Sequence, residues 1–420
     1  MKEHERIWKY AAAFAALAVG AFLFRLGIVG CLICTAVFAV VAFRWKSVME
    51  EEQRQKIRLQ EVQLYLEQLL YSFLQHQKIL SALEDVCPLF PEGNMRRCLD
   101  RAIAHIRQDY DSNAQEQLAL LAEEYDNERL KNIHAYLLQV EQHGGAYEST
   151  VDFLLEDLRR WSERIRVYQE DCKRYMRNVL VAVCLSVLVC AITNSLLPGD
   201  LSIGRTVACQ ASGTVVLCLD MLLLLRTSKR TCRNWLKEKE YGSGDSRKQY
   251  VYCREHRNLK SMLYRRSLRK KMMRAFPQWL MDISLLLQTE NVQVALYRTR
   301  TNAPEILRPA IEEMIEELQQ NPESLEPYLN FLKGYDLPDV TAAMRMLYAL
   351  SDGGYGSGEK QLAQILARNQ ELLDKAERAR NEDALAGLYG LFLAPALTGA
   401  GKMMVDMTMF LILFLGQVQW

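Results

Sequence analysis

The sequence predicts an all-α, polytopic membrane protein with two tandem cytoplasmic helical bundles. Three observations predict this class: long runs almost free of charge, apolar residues at helical spacing in the remaining chain, and a pattern that recurs about 210 residues later. Half of the 420 residues are apolar, which excludes an intrinsically disordered chain. The uncharged runs also exclude a simple soluble globule.

The uncharged runs predict the membrane segments. A bilayer core about 30 Å thick needs about 20 helical residues. We therefore predict an N-terminal transmembrane hairpin in 1–47, a central hairpin in 179–226, and a membrane segment in 386–416 that is one kinked span or a short hairpin. A cleaved signal peptide is the alternative for the first run, but a second apolar run follows it almost at once. The apolar runs are 10–24, 27–43, 179–197, 206–225 and 384–416.

Basic residues near the spans predict their orientation. The two short connecting turns contain only Arg25 and Arg205, whereas several lysines and arginines flank the long hydrophilic stretches. By the positive-inside rule, we expect these stretches to face the cytoplasm. The eleven cysteines form an odd set that suits a reducing compartment. Cys31 and Cys34 form a CxxC, which we interpret as helix packing rather than a metal site.

The stretch 48–178 predicts the first cytoplasmic bundle. Apolar residues recur there every three or four positions, and Pro88 and Pro91 interrupt the pattern. One helix ends at Gly144 and Gly145, a typical C-terminal glycine signal. No strand pattern is present, so we expect an all-helical bundle.

The stretch 276–385 repeats this organisation. Tyr125-Asp126 lies nineteen residues before Gly144, and Tyr335-Asp336 lies eighteen before Gly353 and Gly354. We also expect one helix from Tyr65 to Leu83 and an equivalent helix from Trp279 to Leu296. A tandem duplication explains the shared order, and chance similarity of two helical bundles is the alternative.

The segment 227–275 between the copies is strongly basic. From residue 226 to residue 274 there are 17 Lys and Arg against 4 Asp and Glu, whereas 303–385 contain 8 against 16. A basic amphipathic helix on anionic lipid fits this composition, and nucleic-acid binding is the less favoured alternative. The clustered residues predicted to lie at the membrane surface are Arg265, Arg266, Arg269, Lys270, Lys271 and Arg274.

No catalytic, cofactor-binding or metal-binding residues emerge. HExxH, Walker A and nucleophile-elbow motifs do not occur, and the histidines lie among polar residues typical of a surface. We therefore expect a protein that is not an enzyme and has no cofactor. Three charged residues within the apolar runs remain: Asp220, Lys402 and Asp406. We expect Asp220 to reach water at the interface, whereas Lys402 and Asp406 can pair on one helix face.

The duplicated bundles resemble the type II secretion F-domain family, the inner-membrane platform proteins of secretion systems and type IV pili, including the Tad/Flp branch. The residues that resemble it are Tyr65–Leu83, Trp279–Leu296, and the segments after Gly144-Gly145 and Gly353-Gly354. The chain departs from the family at His76-Gln77 and Glu290-Asn291, where a glycine is usual in the opening helix.

The resemblance implies a non-enzymatic platform that couples a cytoplasmic secretion ATPase to the assembly of pilin or pseudopilin subunits. Other expected partners are membrane platform proteins, anionic lipid and further copies of the chain, but not nucleic acid. The alternative is a membrane-embedded transporter or sensor component with cytoplasmic helical domains. The substrate, the oligomeric state and the face that binds the ATPase are left open.

Overall fold

A computed structural model describes residues 2–108, 110–144, 147–196, 206–232, 236, 244–255, 258–287, 290–353 and 358–418. The secondary structure within these ranges is helical, without strands, as predicted. The α-helices are α1 Lys2–Leu23, α2 Ile28–His76, α3 Ile79–Val86, α4 Asn94–Gln108, α5 Tyr110–Tyr125, α6 Glu128–His143, α7 Glu148–Leu196, α8 Val207–Thr231, α9 Gly244–Glu255, α10 Leu259–Leu286, α11 Val292–Thr299, α12 Arg308–Gln320, α13 Glu326–Asn330, α14 Pro338–Ser351 and α15 Gly358–Val418.

The chain divides into two compact units. The first, here called the apolar unit, comprises 1–56, 166–234 and 382–420. The second, here called the polar unit, comprises 57–165 and 235–381. The polar unit contains most of both stretches that were predicted as separate bundles.

Four helices of the described chain are long and apolar enough to cross a membrane: α2, α7, α8 and α15. The apolar stretch of α1, Ala11–Leu23, is shorter. The final apolar run is not a hairpin, because α15 continues as one helix through Pro395. The predicted turn at 198–205 lies outside the described residues.

The polar unit contains two hydrophobic cores. The first lies mainly among α2 to α7, with Tyr65 and Tyr125 fully buried, and the second mainly among α10 to α15, with Trp279 and Tyr328 fully buried. Apolar residues at three- and four-residue spacing form the buried faces. The division into two separate bundles is not confirmed, because the first core also contains Met281, Leu285, Leu362 and Leu366 of the second stretch.

The two stretches have the same order of helices, and their joints share unusual backbone angles. Asp126 ends α5 with φ 50°, and Asp336 precedes α14 with φ 51°. The next joints use Gly144 with φ 70° and Gly353 with φ 66°. Positive φ is uncommon outside glycine and is tolerated best by Asn and Asp. The recurrence of these positions at offsets of 210 and 209 residues is stronger evidence of a repeat than composition is.

The expected single opening helices are wrong, because each is broken. The chain turns at Gln77, with φ 55°, between α2 and α3. In the second stretch α10 ends at Leu286, and Asn291 caps α11 by accepting a hydrogen bond from the Val294 amide at 2.9 Å.

Candidate functional site

The core of the apolar unit contains a buried ion pair. Lys402 Nζ lies 2.5 Å from Asp406 Oδ2, one turn along α15. Their side chains are 2% and 0% exposed. The structure therefore brings together the two residues whose four-residue spacing allowed pairing, and it encloses them within the protein.

Asp220 lies in the same core, and the expectation that it reaches water is wrong. Its side chain is only 3% exposed, and Thr398 Oγ1 on α15 donates to Asp220 Oδ1 at 3.2 Å. The physical reason is that α8 packs this part of its surface on other helices. Sequence position alone gives depth along a span but not which face of the helix is covered.

Further groups complete the cluster around the ion pair. The ring of Phe24 lies with its centroid 5.0 Å from Lys402 Nζ, a cation–π contact. The Cys209 thiol interacts with the Asp406 carboxylate. In the described residues, Asp220 Oδ2 and Asp406 Oδ1 are buried without a hydrogen-bond partner.

Close packing of α7 on α15 borders this cluster. Ser186 Oγ donates to the Pro395 carbonyl at 2.7 Å, and Cys190 Sγ donates to the Gly399 carbonyl at 3.4 Å. A β-carbon at Gly399 would overlap the Ser186 hydroxyl in its present rotamer, so a larger residue there would require that hydroxyl to move. Both contacts join residues 209 apart. This offset equals the spacing of Gly144 and Gly353.

The cluster combines one lysine and two aspartates, all in helices long and apolar enough to cross a membrane. Intramembrane ionisable residues mark functional or helix-joining sites. No group of three or more His, Cys, Asp or Glu residues suited to a metal ion occurs in the part of the chain that the structure describes. None of the eleven cysteines, all of which the structure describes, forms a disulfide, and this includes Cys31 and Cys34.

The predicted interhelical turns are partly visible. Gly144 directly follows the end of α6, and Gly353 lies two residues after the end of α14. Both have positive φ, which glycine adopts more readily than other residues. Gly145 and Gly354 lie outside the described residues. The first glycine of each pair thus provides the helix end that the sequence predicted.

The six predicted basic residues do not share one exposed face of α10. Arg266, Arg269 and Lys270 are exposed, and Lys271 is half-buried. Arg265 donates to the Cys253 carbonyl at 2.8 Å, and Arg274 donates to the Ala379 carbonyl at 3.1 Å. Arg265 and Arg274 therefore bond within the polar unit, and only part of the basic cluster is presented outward.

A network of buried charges in the polar unit was not predicted from the sequence. Arg164 contacts Asp374 at 2.5 Å and also pairs with Glu377, while Arg129 pairs with Asp157. The side chains of Arg129 and Arg164 are each 13% exposed. These residues lie far apart in the chain and among many similar charges, so no sequence signal distinguishes them. Asn132 and Asp282 add a hydrogen bond of 2.6 Å.

His134 is another correction, because it is not a surface histidine. It is 3% exposed, with Nε2 2.9 Å from the Tyr65 hydroxyl and Nδ1 3.2 Å from the Leu118 carbonyl. Burial lowers the pKa of His134 to about 4, since the charged form loses its hydration. The ring is therefore neutral near pH 7, donating from Nδ1 to Leu118 and accepting from Tyr65 at Nε2.

No protein-family model, curated protein or solved structure matches this chain.

Proposed function

We propose that the protein is a non-enzymatic platform subunit of the inner membrane, in a machine of the type II secretion or Tad-type pilus class. In this proposal two tandem helical bundles face the cytoplasm and engage a secretion ATPase. The membrane helices contact pilin or pseudopilin subunits, and energy is supplied by the ATPase.

The observation that carries the proposal is the recurrence of one helical pattern, each copy continuing into a membrane-length helix. Left-handed Asp126 and Asp336, followed by left-handed Gly144 and Gly353, mark equivalent joints. Helices α7 and α15 follow these joints and are both long and apolar enough to cross a membrane. A duplicated bundle attached to membrane helices is the organisation that the resemblance to the F-domain family implies.

A deletion strain tests the role in assembly. Without the gene, we expect surface pili or the secreted protein to be lost, while the abundance of the secretion ATPase is unchanged. Normal pili and normal secretion in the deletion strain would refute the platform role. Genes for a secretion ATPase and pilin-like proteins beside this gene would support it independently.

The acidic stretch 303–385 is our first choice for the ATPase contact. Glu316 and Glu323 are exposed there, and their reversal to lysine should reduce copurification of the ATPase. The matched control reverses Glu116 and Glu123, which are exposed in the first stretch. If the control alone reduces copurification, the contact lies on the first stretch instead.

A transporter component is the second candidate, favoured by the buried charges of the apolar unit. Asp220, Lys402 and Asp406 are each at most 3% exposed and lie in membrane-length helices. Purified protein in liposomes with an internal pH-sensitive dye tests this alternative. Proton flux in the wild type that is lost in Asp220→Asn would favour transport, whereas a platform subunit gives no flux in either protein.

A further inference from the structure

The first half of α10 exposes a face that combines basic and apolar side chains. This basic face consists of Met262, Leu263, Arg266, Arg269 and Lys270, all of which are exposed. We propose that the basic face binds the headgroups of anionic lipids, with Met262 and Leu263 inserted at the level of the acyl chains. The proposal requires the apolar unit to lie in a membrane, and it does not depend on the role in pilus assembly or secretion.

Helical geometry places these five residues on one side. Positions 262, 266, 269 and 270 are separated by about one or two turns, and 263 lies one turn before 266 on the same side. The other side of the helix packs into the second core, where Leu268 and Met272 are fully buried. The helix is therefore amphipathic, with a side that packs on the protein and a side that is open.

The two apolar residues are unusual for their exposure. Met262 and Leu263 are each 71% exposed, whereas the other exposed large apolar side chains described in the polar unit reach at most 55%, at Tyr297. Adjacent aliphatic side chains held out in water are unfavourable, and they mark an interaction surface when basic residues surround them. Their position beside three basic residues is the pattern of an interfacial membrane helix.

Charge complementarity selects an anionic lipid surface as the occupant. Arg266, Arg269 and Lys270 supply three cations, with Asp336 3.8 Å from Arg269 as a solvent-exposed neighbour. Met262 and Leu263 can insert among the acyl chains of a lipid surface. The phosphate backbone of a nucleic acid offers no apolar environment for them. The basic segment also begins at the end of α8, a membrane-length helix whose last turn contains Lys229 and Arg230.

Photocrosslinking in the intact protein tests the proposal. The photoreactive residue p-benzoylphenylalanine replaces Leu263 in full-length protein, which is reconstituted in nanodiscs of zwitterionic lipid with or without about 30% phosphatidylglycerol. Mass spectrometry counts lipid adducts after illumination. The matched control places the same residue at Tyr297, which is 55% exposed in the same unit.

We expect lipid adducts at 263 to exceed those at 297 by about fivefold or more in anionic nanodiscs, and to fall in zwitterionic ones. Each basic residue at an anionic surface changes partitioning by roughly fivefold. Arg266→Gln with Lys270→Gln should therefore reduce the adducts strongly, whereas Arg101→Gln with Lys131→Gln, at exposed positions elsewhere, should not.

Three results would overturn the proposal: equal adduct yields at 263 and 297, yields that do not depend on anionic lipid, or adducts with protein or nucleic acid in place of lipid. The platform role can fail separately. Lipid adducts at 263 together with normal pili in a deletion strain would leave the basic face established and the assembly role refuted.

Discussion

The buried His134 gives the polar unit a stability that depends on pH. An ordinary histidine has a pKa of about 6.5, whereas burial lowers the pKa of His134 to about 4 in the folded protein. Between these values the unfolded chain binds a proton that the folded chain does not bind. The free energy of unfolding is therefore fully retained above pH 6.5 and decreases as pH falls toward 4.

The magnitude follows from the difference between the two pKa values. Each pH unit in this window costs about 1.4 kcal/mol, so the loss approaches about 3 kcal/mol at pH 4. His134→Gln removes this titration, so the free energy of unfolding of the variant should depend less on pH. The difference in free energy of unfolding between wild type and variant should therefore decrease by about 1.4 kcal/mol per pH unit as the pH falls from 6.5 toward 4. Hydrogen bonds lower the pKa values of carboxylates such as Asp85 and Asp100. These groups titrate in both proteins, so their contributions cancel in the difference between wild type and variant.

Hydrogen exchange provides the assay, because it reports on the polar unit within the whole protein in detergent or nanodiscs. Opening free energies of amides in α6 are measured from pH 7 to pH 4.5 in wild type, His134→Gln and Tyr65→Phe. Tyr65→Phe removes the hydroxyl donor but keeps the imidazole, so it should lower stability by about 1–3 kcal/mol and keep the slope. Equal pH slopes in wild type and His134→Gln would refute the reasoning.

Three further predictions concern buried contacts, each measured as a change in thermal or denaturant stability. Lys402→Met leaves the buried Asp406 without its partner and should cost about 3–5 kcal/mol, whereas the double variant with Asp406→Leu should recover most of this loss. Gly399→Ala should cost about 1–3 kcal/mol because its β-carbon overlaps the Ser186 hydroxyl, and Ser186→Ala should relieve the overlap. Arg164→Met should cost about 1–3 kcal/mol, because it removes the charged partner of the half-buried Asp374 and Glu377.

Each of these predictions has its own control. Asp406→Leu combined with Lys402→Met must be more stable than Lys402→Met alone, or the pair is not the cause. For Gly399, an equal loss in the single and double variants would count against the steric explanation. For Arg164, the exposed Arg160→Met should change stability by less than about 1 kcal/mol, and an equal effect of both variants would contradict the role of burial.

Much of the fold is accessible from the sequence, since helical periodicity and uncharged runs depend on local chemistry. The spacing of Tyr-Asp and Gly-Gly pairs also predicts joints that the structure contains, at Asp126, Gly144, Asp336 and Gly353. The broken opening helix was not predicted, because Gln77 gives no signal that it will adopt positive φ. Backbone angles at such residues are set by packing on both sides rather than by intrinsic preference.

The sites were less predictable than the fold. A four-residue spacing predicts that Lys402 and Asp406 can pair, since both residues lie on one helix. The burial of Asp220 and of His134 depends on contacts with residues distant in the chain, Thr398 and Tyr65. Such tertiary contacts cannot be inferred from local pattern, and the Arg164 network across 210 residues is the clearest instance.

The matched contacts between α7 and α15 bear on how copies of the chain can associate. Ser186 with Pro395, and Cys190 with Gly399, join positions 209 residues apart within one polypeptide. An isologous dimer interface brings a surface patch against the same patch of a second subunit. Here one copy supplies both sides, so this surface is already occupied before any second copy arrives. While the contact between α7 and α15 is intact, a second copy of the chain would have to bind a different face.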